Sequence, residues 1–190
     1  MNSLATLTAI YAAGADIPKA AAALGRLSPL PGRGKIYQLK VSNGSIRLID
    51  ESYNANPASV RAALENFGNT KIEPPGRRIA VLGDMLELGK NSETYHLKLV
   101  PTLLKNRVEK IFTVGNQMEK LFHSLPSKMQ CFCSVDVKEV TGEILEILQP
   151  NDLVLVKGSN AIGMAAIVSE IRAELGHCGN ALQGIPENVI

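Results

Sequence analysis

Apolar positions along this chain follow two rhythms. From residue 57 onward, stretches with apolar residues at helical spacing alternate with short runs that are apolar without interruption. Ile79-Ala80-Val81-Leu82 and Leu153-Val154-Leu155-Val156 are two such runs. A strand with one wet face alternates apolar and polar residues, so an unbroken run predicts a strand covered on both faces. The pattern predicts helix 57–67, strand 78–82, helix 92–105, strand 110–114, helix 116–122, strand 130–133, helix 135–148, strand 153–156 and helix 161–175. Strand and helix in regular succession predict an α/β domain with a mostly parallel sheet flanked by helices. Just upstream, residues 35–41 and 45–50 alternate apolar and polar residues around Ser42-Asn43-Gly44, the pattern of a β-hairpin.

The opening of the chain reads differently. Residues 2–13 are rich in Ala and Leu at helical spacing, Gly14 can end that helix, and 18–27 form a second short helical pattern. These two make no core alone. They are followed by Ser28-Pro29-Leu30-Pro31-Gly32-Arg33-Gly34, a stretch of breakers that marks a domain boundary. Three segments are therefore expected: 1–30 as the helical remnant of a preceding domain, 31–176 as the main domain, and 177–190 as a loose tail. A start in the middle of a structural unit also predicts that the chain is part of a longer protein.

Composition narrows the function. A chain of 190 residues holds one domain with a full core plus a fragment of another. Lys and Arg number 20 against 18 Asp and Glu, which leaves no basic stripe to neutralise a phosphate backbone. With four Phe, four Tyr and no Trp there are also few platforms for stacking bases, so nucleic acid is not an expected partner. No apolar run approaches the ~20 residues that cross a bilayer, and the start lacks a secretion pattern, so no membrane partner and a cytoplasmic location are expected. Cys131, Cys133 and Cys178 are odd in number, and the first two are spaced for one face of a strand rather than for a zinc knuckle. They are expected to be reduced packing residues, with no metal site. Glu93 and His96 fall at i,i+3 and read as a helix-surface pair.

The densest cluster of chemistry is Asp50-Glu51-Ser52-Tyr53-Asn54-Ala55-Asn56-Pro57, a strand-to-helix turn. Asn56 can cap the helix and Pro57 suits its first turn. Two carboxylates, a hydroxyl, a phenol and a second amide exceed what a connection needs, so the turn is either a ligand lip or a heavily solvated loop. Ligands of open parallel sheets bind beyond the carboxyl ends of the strands, and three more segments fall there: Gly83-Asp84-Met85-Leu86-Glu87-Leu88-Gly89, Gly115-Asn116 and Lys157-Gly158-Ser159-Asn160. Small residues ahead of a helix can turn backbone N–H groups to an anion, with Lys157 adding charge; ordinary turn chemistry accounts for the same residues. A phosphate loop, a dinucleotide Gly motif and a Ser–His–acid order are all missing from the sequence. Asp84 after an early strand and Lys157 after a late one also fit a receiver-like phosphoacceptor module, although Asn116 stands where that chemistry needs an acid.

Residues 50–57, Arg61-Ala62-Ala63-Leu64, Arg78 to Gly89 and Val156-Lys157-Gly158-Ser159 together closely resemble the C-terminal domain of the Mur ligases. Within that family, Tyr53-Asn54-Ala55-Asn56-Pro57 resembles the branch that adds D-alanyl-D-alanine to UDP-N-acetylmuramoyl-tripeptide; other Mur ligases and folylpolyglutamate synthases usually carry a His-containing version. The resemblance implies a Rossmann-like fold and an ATP-dependent peptide ligase of peptidoglycan biosynthesis. Its cofactors are ATP and Mg2+, and its partners are the dipeptide and, through other domains, the UDP-linked tripeptide. The acid is phosphorylated, and the amine attacks the acyl phosphate. Phosphate loop, magnesium ligands and carbamylated lysine belong to the family's central domain, and the C-terminal domain closes over ATP and helps to receive the dipeptide. By resemblance Asn2 meets adenine, and Arg33 reaches the terminal phosphate as the candidate catalytic residue. Glu51, Tyr53, Asn54 and Asn56 form the nucleotide-facing turn, while Asp84, Glu87, Lys157 and Ser159 line an opposite wall for dipeptide or acyl phosphate. Two positions depart from the family pattern: Glu51 replaces the usual Asp, and Asn160 stands where Arg commonly follows Lys-Gly-Ser.

Overall fold

The computed structural model describes residues 2–176; the segment 177–190, including Cys178, lies outside them. Its elements are α1 (Asn2–Ala12), α2 (Ile17–Leu24), β1 (Lys35–Val41), β2 (Gly44–Glu51), α3 (Pro57–Asn69), β3 (Arg78–Gly83), α4 (Ser92–Leu97), α5 (Val100–Lys105), β4 (Lys110–Val114), α6 (Asn116–His123), β5 (Gln130–Ser134), α7 (Val137–Ile147), β6 (Leu153–Lys157) and α8 (Met164–Leu175). Six strands form one sheet in the order β1-β2-β6-β3-β4-β5. Only the β1–β2 pair is antiparallel, closing at Val41↔Gly44 with Asn43 at a φ of 64°. The other four pairings are parallel. No helix among the described residues is long and apolar enough to cross a membrane.

The unbroken apolar strands serve two cores. Ala80 and Leu82 of β3 and Leu153 and Leu155 of β6 pack with Val60, Leu64 and Phe67 of α3, Leu103 of α5 and Leu121 of α6. Their neighbours Ile79, Val81, Val154 and Val156 point the other way, onto Ile144 of α7 and Ile167 and Ile171 of α8. Period-two alternation with both sets apolar is what a doubly covered sheet requires. Helices α1 and α2 stand apart from both cores. They pack on one another, and Leu4 and Tyr11 remain three-quarters exposed, at 74% each.

Four local expectations are corrected. The predicted helix 92–105 is two helices, because Pro101 has no N–H to give Leu97 and its ring crowds that carbonyl. The helix expected from 161 starts at Met164, after a 3-10 turn over Asn160–Ile162 and Gly163 at a φ of 81°. His96 is not on the surface: it is fully buried, its Nε2 accepting the Met85 N–H at 2.9 Å while Nδ1 lies 2.8 Å from the Ser92 carbonyl. Both contacts are met by the neutral ring with the proton on Nδ1. Exposed Glu93 pairs instead with Lys120 at 2.6 Å. Finally, Cys131 and Cys133 face opposite cores, because the β4–β5 register slips between Ile111↔Gln130 and Phe112↔Phe132 and leaves Cys131 as the extra residue.

At the amino edge of the sheet, Asp152 is fully buried and takes the Arg77 guanidinium at 2.7 and 3.1 Å, the Arg77 N–H at 2.9 Å and the Gln149 N–H at 2.9 Å. This carboxylate ties the entry of β3 to that of β6, the two central strands. Asp152→Ala leaves a guanidinium and two N–H groups without their acceptor, and a loss of about 3 kcal/mol is expected. Urea unfolding checks it; a change below about 1 kcal/mol contradicts the assignment.

Candidate functional site

All five parallel strands end on the same edge, so the turn after β2, the loop after β3 and the loop after β6 rise side by side. Their relation is set by Asp50, the next-to-last residue of β2, which is 4% exposed. Its Oδ2 accepts the Gly32 N–H at 2.8 Å; its Oδ1 accepts the Ser52 N–H at 3.2 Å and the Ser52 hydroxyl at 2.6 Å. Backbone bonds on either side complete the clasp, from Gly34 N–H to the Asp50 carbonyl at 2.8 Å and from Tyr53 N–H to the Gly32 carbonyl at 3.1 Å. Gly32 has a φ of 76°, and a Cβ there would lie 2.8 Å from the Tyr53 Cβ. Only glycine meets both demands.

The clasp lays the boundary loop 31–34 against the turn 50–57. Arg33 thereby stacks on the Tyr53 ring, its Cζ 4.0 Å from the centroid, with both side chains on the surface. A cation over a ring face is attracted by the ring's quadrupole, which holds the guanidinium at this spot. Asn56 acts as the helix cap: its Oδ1 accepts the Ser59 N–H at 2.8 Å and the Ser59 hydroxyl oxygen accepts the Asn56 N–H at 3.0 Å. Asn54 is exposed, with its Oδ1 on the Ala55 N–H at 2.8 Å.

Three of the four residues expected on an opposite wall are buried in supporting contacts. Lys157 lies beneath the same turn, its side chain 3% exposed, donating to the Asn54 carbonyl at 3.0 Å and to Glu51 at 3.4 Å. Burial lowers the Lys157 pKa below its ordinary 10.5; Glu51 pulls it back up, and Arg33 adds a smaller downward push. Ser159 is also buried, its hydroxyl accepting the Leu86 N–H at 2.9 Å and reaching the Ala55 carbonyl at 3.5 Å. Asp84 turns away toward α6, where its carboxylate takes the Met118 N–H at 2.7 Å and the Gln117 N–H at 3.1 Å. Glu87 alone of the four is exposed, at a φ of 62°. The side chain of Asn2 lies outside the description.

Gly83 and Gly158 do not open an anion cradle at the start of α8. A Cβ on Gly158 would lie 2.6 Å from the Met164 side chain and 2.9 Å from the Gly83 Cα, so the glycines admit that side chain between β3 and β6. The receiver-like alternative fails on the same geometry, since Asp84 is 6% exposed and spent on capping α6. Asp50 and Ser52 carry the organisation of the site, and their Asp-x-Ser spacing is the one at which a carboxylate closes a turn on its own backbone.

With this geometry in place, comparisons with known proteins are specific. A family model described as Mur ligase, glutamate ligase domain, matches residues 32–160. UDP-N-acetylmuramoyl-tripeptide–D-alanyl-D-alanine ligase of Rickettsia prowazekii (strain Madrid E) is 34% identical over 167 residues, which cover 88% of this chain and 36% of that protein. The crystal structure of the MurF ligase from Thermotoga maritima in complex with ADP is similar with a TM-score of 0.69 at 24% identity, over 88% of this chain and 36% of the other. A crystal structure of MurF from Acinetobacter baumannii gives a TM-score of 0.76 at 24% identity, over 90% and 37%. The chain spans little more than a third of the length of these relatives.

Lys157 supplies a stability test with a definite sign. A lysine whose pKa is lowered by folding binds fewer protons in the native than in the unfolded chain, so stability rises with pH in the window below 10.5. Against Lys157→Met, the parent is expected to gain stability as pH climbs through that window. Urea midpoints at a series of pH values check this, and a parent advantage that shrinks with rising pH contradicts it.

Proposed function

This chain belongs to the Mur ligase family through its glutamate ligase domain, and on that premise we propose that it is the closing domain of a cytoplasmic, ATP-dependent ligase joining D-alanyl-D-alanine to UDP-N-acetylmuramoyl-tripeptide. The relatives' shared activity supports the substrate assignment. The observation that carries the mechanism is Arg33 held over the Tyr53 ring at the carboxyl edge of the sheet.

Such a ligase phosphorylates a carboxylate with ATP; the dipeptide amine then attacks the acyl phosphate, and the tetrahedral intermediate collapses to amide and phosphate. Charge moves onto the transferred phosphoryl oxygens, where a positioned guanidinium stabilises it most. Arg33 fills that role: it is exposed, oriented, and beside a second cation, Lys157. Tyr53, Asn54 and Glu51 present ring, amide and carboxylate to the nucleotide. Asn56 sets the angle at which the turn enters α3, and Asn2 contacts the base. Glu87 offers a carboxylate to the dipeptide ammonium, while Asp84, Lys157 and Ser159 hold the loops that carry these groups.

Magnesium does not fit this lip. A dication needs several oxygen ligands, and here Glu51 is already paired with Lys157 while Arg33 lies alongside. Its ligands are assigned to the preceding domain, together with the phosphate loop. Residues 1–30 form the end of that domain, 31–176 close over it, and the breaker-rich segment between them lets the lip shut and shield the acyl phosphate from water.

In the full-length enzyme, Arg33→Ala is expected to lower kcat by about 10²–10³. Arg33→Lys recovers only part of the loss, because the stacked fork is not replaced. Steady-state kinetics with thermal melts check both, and unchanged kcat in Arg33→Ala removes Arg33 from the reaction. The 190-residue chain alone is expected to show no ligation and no micromolar ATP affinity by calorimetry; such affinity would place the triphosphate site here instead.

A further inference from the structure

On the far side of the sheet from the β1–β2 hairpin, α6 lies against the edge strand β5 and brings together three side chains that no step of ligation uses. Glu119 and His123 stand at i,i+4 on α6, with the His123 Nε2 3.9 Å from a Glu119 carboxylate oxygen. Cys133 approaches them from β5. One carboxylate oxygen, one imidazole nitrogen and the Cys133 sulfur all lie within 4.8 Å of one another. The register slip in β5 makes this possible: it turns Cys133 to the face that α6 covers and leaves Cys131 on the other.

We propose that Glu119, His123 and Cys133 form a binding site for a borderline-soft divalent transition ion, with Zn2+ the best match and water as the fourth ligand. The donor set argues for this class of ion, since thiolate and imidazole select zinc-like metals over magnesium or calcium. Tetrahedral bonds of about 2.0–2.3 Å put ligand atoms roughly 3.3–3.8 Å apart. The present spread closes to that by rotation of the Glu119 and His123 side chains, which are both exposed. Cys133 is half-buried and supplies the fixed corner. Opposite it in the parallel register stands Thr113, buried, whose hydroxyl oxygen has no hydrogen-bond partner among the described residues. On binding, the thiol gives up its proton to solvent and the sulfur bonds to the metal, with no change of oxidation state.

Cobalt(II) is the probe, because a tetrahedral Co2+–thiolate site shows intense visible bands and a near-ultraviolet sulfur-to-metal transition. The parent chain is expected to show both at one Co2+ per chain, with Zn2+ displacing the cobalt. Cys133→Ser is expected to abolish the sulfur band, while Cys131→Ser and Cys178→Ser retain it. His123→Ala and Glu119→Gln, surface changes that leave the circular dichroism unaltered, are expected to weaken binding by at least about tenfold. Absence of the sulfur band in the parent, its survival in Cys133→Ser, or affinity unmoved by His123→Ala overturns the site.

Discussion

A single carboxylate, buried where a strand ends, governs the working edge of this molecule. Asp50 is closed off from water and takes three hydrogen bonds, from Gly32 N–H, Ser52 N–H and the Ser52 hydroxyl. A buried charge left short of donors is costly, so the loop 31–34 and the turn 50–57 come together or Asp50 stays unsatisfied. That coupling turns two loops distant in sequence into one surface. The approach is close enough that residue 32 must be glycine, and the product is a guanidinium laid on a phenol ring. A segment that reads as a domain boundary is thereby also part of the carboxyl edge of the sheet.

The rest of the polar groups at this edge divide into supports and free groups. Lys157, Ser159 and Asp84 are buried, and each spends its donors or acceptors on a neighbouring loop: Lys157 on the Asn54 carbonyl, Ser159 on Leu86 and Ala55, Asp84 on the start of α6. Arg33, Tyr53, Asn54 and Glu87 face outward on the frame thus built. Such a division suits the closing role proposed above, in which a few oriented groups are delivered to chemistry housed elsewhere. Burial of Lys157 is a further electrostatic cost in the arrangement, partly offset by Glu51.

Much of this was legible in the sequence because the information was local. Ile79 to Leu82 and Leu153 to Val156 announce doubly covered strands, and Asn56-Pro57 announces a helix start. What was hidden depends on contacts between residues far apart in the chain. Nothing near His96 reveals that Met85 will offer it an N–H from another loop, and nothing near Asp84 reveals the helix it caps. The sequence puts Lys157 at the carboxyl edge of the sheet but says nothing of the direction of its side chain, which runs beneath the turn and not to an opposite wall. The slip that separates Cys131 from Cys133 arises in the pairing of β5 with β4, a property of two strands rather than of either.

The claim that Asp50 holds the two loops together is tested most directly by amide hydrogen exchange in Asp50→Asn. An amide side chain offers one oxygen and places an NH2 where the second oxygen received a donor, so the clasp cannot be fully satisfied. The account predicts faster exchange at Gly32, Gly34 and Tyr53, with the central strands β3 and β6 protected as in the parent. Unchanged protection at Gly32 and Tyr53 would contradict it.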